Sequence, residues 1–152
     1  AVRLALPNDC DRTRLSITTE VAVPAFAADR IKLRQAIRNL IANAVHIQFE
    51  QPTAAVHISL THDEHDLIVR VSDAGPGVTP EISQQIFDPF FTNHPDGTGL
   101  GLALVSTIVH LHGGSVRVSP EPSSLGGAEF SIRIPFQPAS SPLEFPNPSL
   151  EG

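Results

Sequence analysis

The chain has 152 residues, enough for one domain with a hydrophobic core and too few for two ordinary ones. Hydrophobic residues make up 41%, charged residues 17%, and mean hydropathy is +0.03, the profile of a soluble globular domain. A formal net charge of −6 argues against nucleic-acid and anionic-membrane binding, no apolar run is long enough to span a membrane, and the single Cys10 excludes an internal disulfide or a cysteine-based zinc site.

The chain starts at Ala1 and has no Met, so it is expected to be a piece of a longer protein. Its cysteine usage and lack of a signal peptide suit a cytoplasmic location. Residues 1–13 alternate only weakly before a Pro7-Asn8-Asp9 turn and are expected to form a linker. Leu15, Ile17, Thr19 and Val21 alternate with polar positions, which predicts a first strand ended by Pro24. Asp29 is a good N-cap for the helix that follows. From Arg30 to about Phe49, Leu33, Ile37, Leu40, Ile41 and Ala44 fall on one helical stripe. Gln35, Asn39, Asn43, His46 and Glu50 form a second stripe, rotated away from the first. A solvated face is the ordinary reading of such a row.

Past Pro52, Val56, Ile58 and Leu60 alternate with polar residues. After the polar turn T-H-D-E-H-D, Leu67, Val69 and Val71 alternate again, which predicts a β-hairpin with one buried face. Asp73 shares the parity of those apolar residues, so a carboxylate faces the core side at the strand's end. Such a group is costly unless hydrogen-bond donors reach it. The donors can come from the backbone of the following turn, as for a capping Asp before Gly, or from a ligand. Thr79-Pro80-Glu81 predicts the start of a short helix anchored by Ile82 and Ile86. Asp88 to Gly97 reads as a loop, and Gly99 to about His112 as an apolar helix stopped by Gly113-Gly114. Ser115–Ser119 and Ala128–Ile134 are two further alternating strands joined by a turn-rich segment. The Pro-rich residues 137–152 are expected to be a tail, leaving 14–136 as the domain.

His57, His62 and His65 fall on the hairpin, where His62-x-x-His65 reads as a solvated turn before it reads as a metal site. His110 and His112 fall in the last turn of their helix, where His suits the dipole. The expected architecture is α+β: a two-layer sandwich with a mixed, mostly antiparallel sheet of about five strands and three helices on one face.

Four segments stand in one order: N-L-I-A-N-A at Asn39–Ala44, D-A-G-P-G at Asp73–Gly77, F-D-P-F-F at Phe87–Phe91 and G-T-G-L-G-L at Gly97–Leu102. Together they resemble the ATP-binding catalytic domain of sensor histidine kinases, within the gyrase, chaperone, histidine-kinase and mismatch-repair ATPase group that shares the Bergerat-type fold. The resemblance runs from about Leu15 to Phe136. It implies ATP and Mg²⁺ as ligands. Asp73 would accept the adenine amino group, while Gly75, Gly77 and Val78 would pass the base. Asn43 and Asn39 would hold Mg²⁺ through amide oxygens, with His46 and His94 near the phosphates. Thr98, Gly99, Leu100, Gly101 and Leu102 would open a helix whose N–H groups receive phosphate. Phe87, Phe90 and Phe91 would hinge the loop over ATP or dock it on a partner, although Phe87 suits a core role equally well. Ala128 stands where the family tends to carry Thr facing the nucleotide.

Two neighbouring readings compete. Gly75-x-Gly77 after a strand looks like a dinucleotide-binding turn, but the third glycine of that fingerprint would fall on Pro80. Water-directed ATPases and serine kinases of the same group usually have Glu, a general base, at the position of Asn39, which cannot take a proton. A histidine kinase is therefore expected, with an ATPase or protein-serine kinase and a degenerate docking module as alternatives. The family's acceptor usually lies in an H-[DE]-x-x-x-P helix, and none of the seven histidines has that context. The expected partner is thus a separate dimerisation and histidine-phosphotransfer domain, with a response regulator reached indirectly and the isolated chain monomeric. Histidines replace the family's frequent phosphate cations at His46 and His94, so ATP affinity is expected to strengthen as pH falls toward 6.

Overall fold

A computed structural model describes residues 15–19, 26–50, 55–92 and 97–136, the side chains of 47–50 excepted. The expected linker over 1–13, the strand end at Val21–Pro24, the tail over 137–152 and His94 lie outside the described residues.

Five strands form one sheet: β1 (Leu15–Thr19), β2 (Val56–His62), β3 (Asp66–Asp73), β4 (Ser115–Val118) and β5 (Glu129–Pro135). Their spatial order is β1-β2-β3-β5-β4, with β1 parallel to β2 and the other pairs antiparallel. The mixed sheet thus follows the expectation. Among the described residues, two α-helices, α1 (Arg30–Glu50) and α2 (Gly101–Leu111), pack on each other and on one face of the sheet. Period-two alternation sends Val56, Ile58, Leu67, Val69, Val71, Phe130, Ile132 and Ile134 into the same core as the α1 stripe. Burying each such side chain contributes about 1.5–3 kcal/mol.

The expected third helix is not an α-helix. Pro80 to Gln84 forms turns, followed by a single 3-10 turn at Gln85–Phe87. Ile82 N–H donates to Thr79 C=O and Asp88 N–H to Gln85 C=O, both three residues back. So short a segment, anchored through Ile82 and Ile86 alone, gains too little from propagation to hold α-helical geometry.

The helix ends are tied together. Asp29 caps α1, its Oδ1 accepting from Ile31 and Lys32 N–H at 3.0 Å each. These hydrogen bonds, led by that of Lys32, hold its carboxyl below the ordinary value. Asp29's own N–H donates to Nε2 of His112 at 3.1 Å, and His112 Nδ1 donates to Ile108 C=O at 2.8 Å. His112, the residue that follows the last turn of α2, is therefore also a buried connector between the start of α1 and the end of α2. His62 differs from expectation. It lies edge-on to Phe136, and its Nε2 is buried without a partner instead of sitting in a solvated turn.

Candidate functional site

A cavity of about 650 Å³ opens between α1, the end of β3, the 3-10 turn and the start of α2. Asn39, Asn43 and His46 line it from α1, so three members of the second helical stripe converge on one place; Gln35 does not. Asp73, Gly77, Val78 and Ala128 line the opposite end, and Thr98, Gly99, Gly101 and Leu102 line the side where α2 begins. Gly75 and Leu100 stand just outside the lining. Gly75 N–H donates to Asp73 Oδ1, and Leu100 is the residue before α2.

Asp73 is only 1% exposed, and nearly all of its polar atoms are engaged. Its Oδ1 accepts from Gly75 N–H at 2.9 Å and Ala128 N–H at 3.0 Å. Its N–H donates to Ala128 C=O, and its C=O accepts from Gly127 N–H and the Ser123 hydroxyl. Only Oδ2 remains, buried and without a partner. The capping reading of this carboxylate is carried by Oδ1, which ends the strand, while Oδ2 has no partner among the described residues. Burial pushes the carboxyl above its ordinary value, against the lowering effect of the Gly75 and Ala128 hydrogen bonds.

At the other side of the cavity, no side chain caps α2. Its first N–H groups have no intrahelical acceptor and carry the positive end of the helix dipole. An orphaned buried acceptor, two amides and an open helix N-terminus around one space suit a ligand with an amino-bearing ring at one end and phosphates at the other. The amides suit a hard cation between them.

The three phenylalanines divide. Phe87 packs against the core, edge-on to Phe130 at 6.4 Å. Phe91 lines the cavity. Phe90 is 76% exposed at φ 69°, and its N–H donates to Gly99 C=O at 2.9 Å. A Cβ on Gly99 would lie 2.4 Å from the Phe90 backbone, so only glycine lets the two ends of this loop meet.

Sequence reasoning missed Ala42, Pro76, Ile82, Ile86, Thr92, Gly97 and Phe130, which also line the cavity. It also passed over Ser123 and Gly127, which hold Asp73 from behind. The only available signal was the Gly-Gly pair at 126–127, which reads as an ordinary turn.

The family model for histidine kinase-, DNA gyrase B- and HSP90-like ATPases matches residues 28–138. Sensor histidine kinase ZraS of Salmonella typhimurium is 36% identical over 122 residues, which is 80% of this chain and 26% of that protein. The C4-dicarboxylate transport sensor protein DctS of Rhodobacter capsulatus is 32% identical over 133 residues, covering 86% of this chain and 20% of that protein. The chain therefore spans about a quarter or less of the length of these curated relatives. Among solved structures, the catalytic domain of histidine kinase ThkA superposes with a TM-score of 0.71 at 28% identity, covering 84% of each chain. Full-length ShkA in complex with AMPPNP superposes with a TM-score of 0.71 at 32% identity, covering 84% of this chain and 26% of that one.

Proposed function

The chain belongs to the histidine kinase-, DNA gyrase B- and HSP90-like ATPase family as the ATP-binding catalytic domain of a sensor histidine kinase, and we propose that it donates the γ-phosphoryl group of Mg–ATP to a histidine on a separate dimerisation domain. The observation that carries the site assignment is the buried, unpartnered Oδ2 of Asp73 across the cavity from the uncapped start of α2. Asp73 Oδ2 accepts the adenine amino group, which supplies the donor it lacks. Gly77 and Val78 flank the base. The N-terminal N–H groups of α2 receive phosphate oxygens. Asn39 and Asn43 would hold Mg²⁺ through their amide oxygens, and that ion would neutralise phosphate charge when bound. What the chain's residues contribute is positioning and electrostatics.

Asn39 lines the cavity with an amide, which cannot take a proton from water. This favours a kinase whose base arrives with its acceptor over a water-directed ATPase. The decisive experiment supplies the isolated dimerisation domain in trans with labelled ATP. Label on its histidine is the expected result, and ATP binding without transfer would instead indicate a docking module. The unaltered domain should hydrolyse ATP only slowly, and Asn39→Glu should raise that rate. Fast hydrolysis by the unaltered domain would overturn the kinase assignment.

The site also predicts a pH dependence of ATP binding. Acidification protonates Asp73, whose carboxyl burial has raised, and removes the acceptor for the amino group. Affinity should therefore fall as pH is lowered through the carboxylate range. An ATP titration that is flat across that range would remove the Asp73 carboxylate from base recognition.

A further inference from the structure

The face of the sheet turned away from the helices is mostly polar, with Ile68 and Ser72 buried at its centre, and its lysine- or arginine-type cations are all arginines. The strand registers place Ser59, Arg70, Ser131 and Arg117 in one row across β2, β3, β5 and β4. Arg70 and Arg117 each neighbour Ser131, so their Cα atoms lie two strand spacings apart, about 10 Å. The charges on this face can be followed one by one. Arg133 is taken by Asp63 and Asp66. The Glu129 carboxylate accepts the Ser72 hydroxyl at 3.0 Å. His57 shares a hydrogen bond with Thr18 Oγ1. Arg117 is exposed, and Arg70 reaches only the Thr61 hydroxyl, at a long 3.4 Å. Neither pairs with a carboxylate among the described residues. Among the described residues, two guanidinium groups without a carboxylate partner thus share one mostly polar face of a chain whose formal net charge is −6.

We infer that this face docks an acidic protein surface, with Arg70 and Arg117 as the paired anchors. Four observations favour that occupant. Guanidinium groups match carboxylates in planar, two-pronged geometry, and arginine is enriched at protein interfaces where lysine is depleted. Hydroxyls from Ser59 and Ser131 beside them are short donors and acceptors suited to a close, flat contact. The strongly acidic remainder of the chain repels extended polyanions such as duplex nucleic acid or an anionic bilayer, so only a local acidic patch fits. Finally, the relatives carry about three quarters or more of their length outside the matched region, so in them such a surface has neighbours to dock. The face is on the opposite side of the sheet from the helices and the cavity, so this docking does not depend on the nucleotide assignment.

The test uses this chain and a fluorescent helical peptide of alternating glutamate and alanine. Binding should weaken at least tenfold in the Arg70→Gln/Arg117→Gln double variant, and similarly when salt is raised from about 50 to 300 mM. ATP binding by the double variant should be unchanged, which also shows that it is folded. On the unaltered chain, amide chemical shifts should move at Ser59, Arg70, Ser131 and Arg117 and not around the cavity. That mapping stands even if the double variant fails to fold. Shifts centred on the cavity, or equal peptide binding by a folded double variant, would overturn the inference. So would equally tight binding of a DNA duplex or of vesicles containing phosphatidylserine.

Discussion

Replacing Asp73 with Asn should stabilise the ligand-free domain while lowering its affinity for ATP about a hundredfold, the equivalent of a lost buried hydrogen bond. The substitution keeps an oxygen at Oδ1 to accept from Gly75 and Ala128, so the end of β3 is preserved. It changes only the atom without a partner. For the ionised acid, that atom carries a buried charge, and burial raises the carboxyl's folded-state value above its unfolded one. Asp73's contribution to stability is fully present below its unfolded pKa and is lost as pH rises through the higher folded pKa. Near neutral pH the ionised group therefore costs stability, and a neutral amide removes that cost. The gain in melting temperature over the unaltered chain should shrink as pH is lowered through the carboxylate range.

Binding moves the other way. An amide N–H₂ facing the adenine amino group sets donor against donor and leaves both buried without an acceptor, a loss of about 2–3 kcal/mol. Guanine presents a carbonyl where adenine presents its amino group. The amide introduced by Asp73→Asn should therefore narrow the preference for ATP over GTP, which a loss of fold would not do. Calorimetric titration of both nucleotides against both proteins measures the ratio. Unaltered ATP affinity in Asp73→Asn would remove this carboxylate from base recognition.

How much of this was legible in the sequence depends on how local the signal is. Strand parity put Asp73 on the core side, and helical spacing put Asn39, Asn43 and His46 on one row, because both patterns are properties of a single element. The five strands and the two long helices were readable for the same reason. The short helix after Pro80 was not, since caps and two isoleucines mark a start without showing that propagation is too weak to continue it. Tertiary neighbours were hidden as well. Nothing near Phe87, Phe90 and Phe91 says that the first packs on Phe130, the second is exposed and the third lines the cavity. His112 looked like a helix-end histidine because its partner, the Asp29 N–H, is 83 residues away. The support behind Asp73 lay in residues 50 or more positions distant, in a segment that reads as a turn.

That support gives the second large expected effect. Gly127→Ala should lower the melting temperature by about 10 °C and abolish ATP binding, although Gly127 does not line the nucleotide cavity. A Cβ at Gly127 would lie 2.3 Å from Asp73 Oδ1, 2.3 Å from Gly75 N and 2.6 Å from Asp73 O. Two of those atoms are backbone, so the clash has no flexible side chain to absorb it. Relief requires the 123–128 segment to move off the end of β3, which breaks the Gly127 N–H bond to Asp73 C=O and the Ala128 N–H bond to Oδ1. Overpacking with the loss of two buried hydrogen bonds places the cost at about 2–4 kcal/mol. The neighbouring glycine separates this mechanism from conformational strain. Gly126 has φ 94° but open space around its Cβ position, so Gly126→Ala meets only the backbone penalty of about 1–3 kcal/mol. Gly101→Ala has neither problem, and in the first turn of α2 it should raise stability by up to about 1 kcal/mol. Thermal unfolding of the three variants should therefore rank Gly127→Ala lowest and Gly101→Ala above the unaltered chain. If Gly127→Ala melts with the unaltered domain, the 123–128 segment does not hold Asp73. The carboxylate would then owe its position to β3 and the Gly75 turn alone.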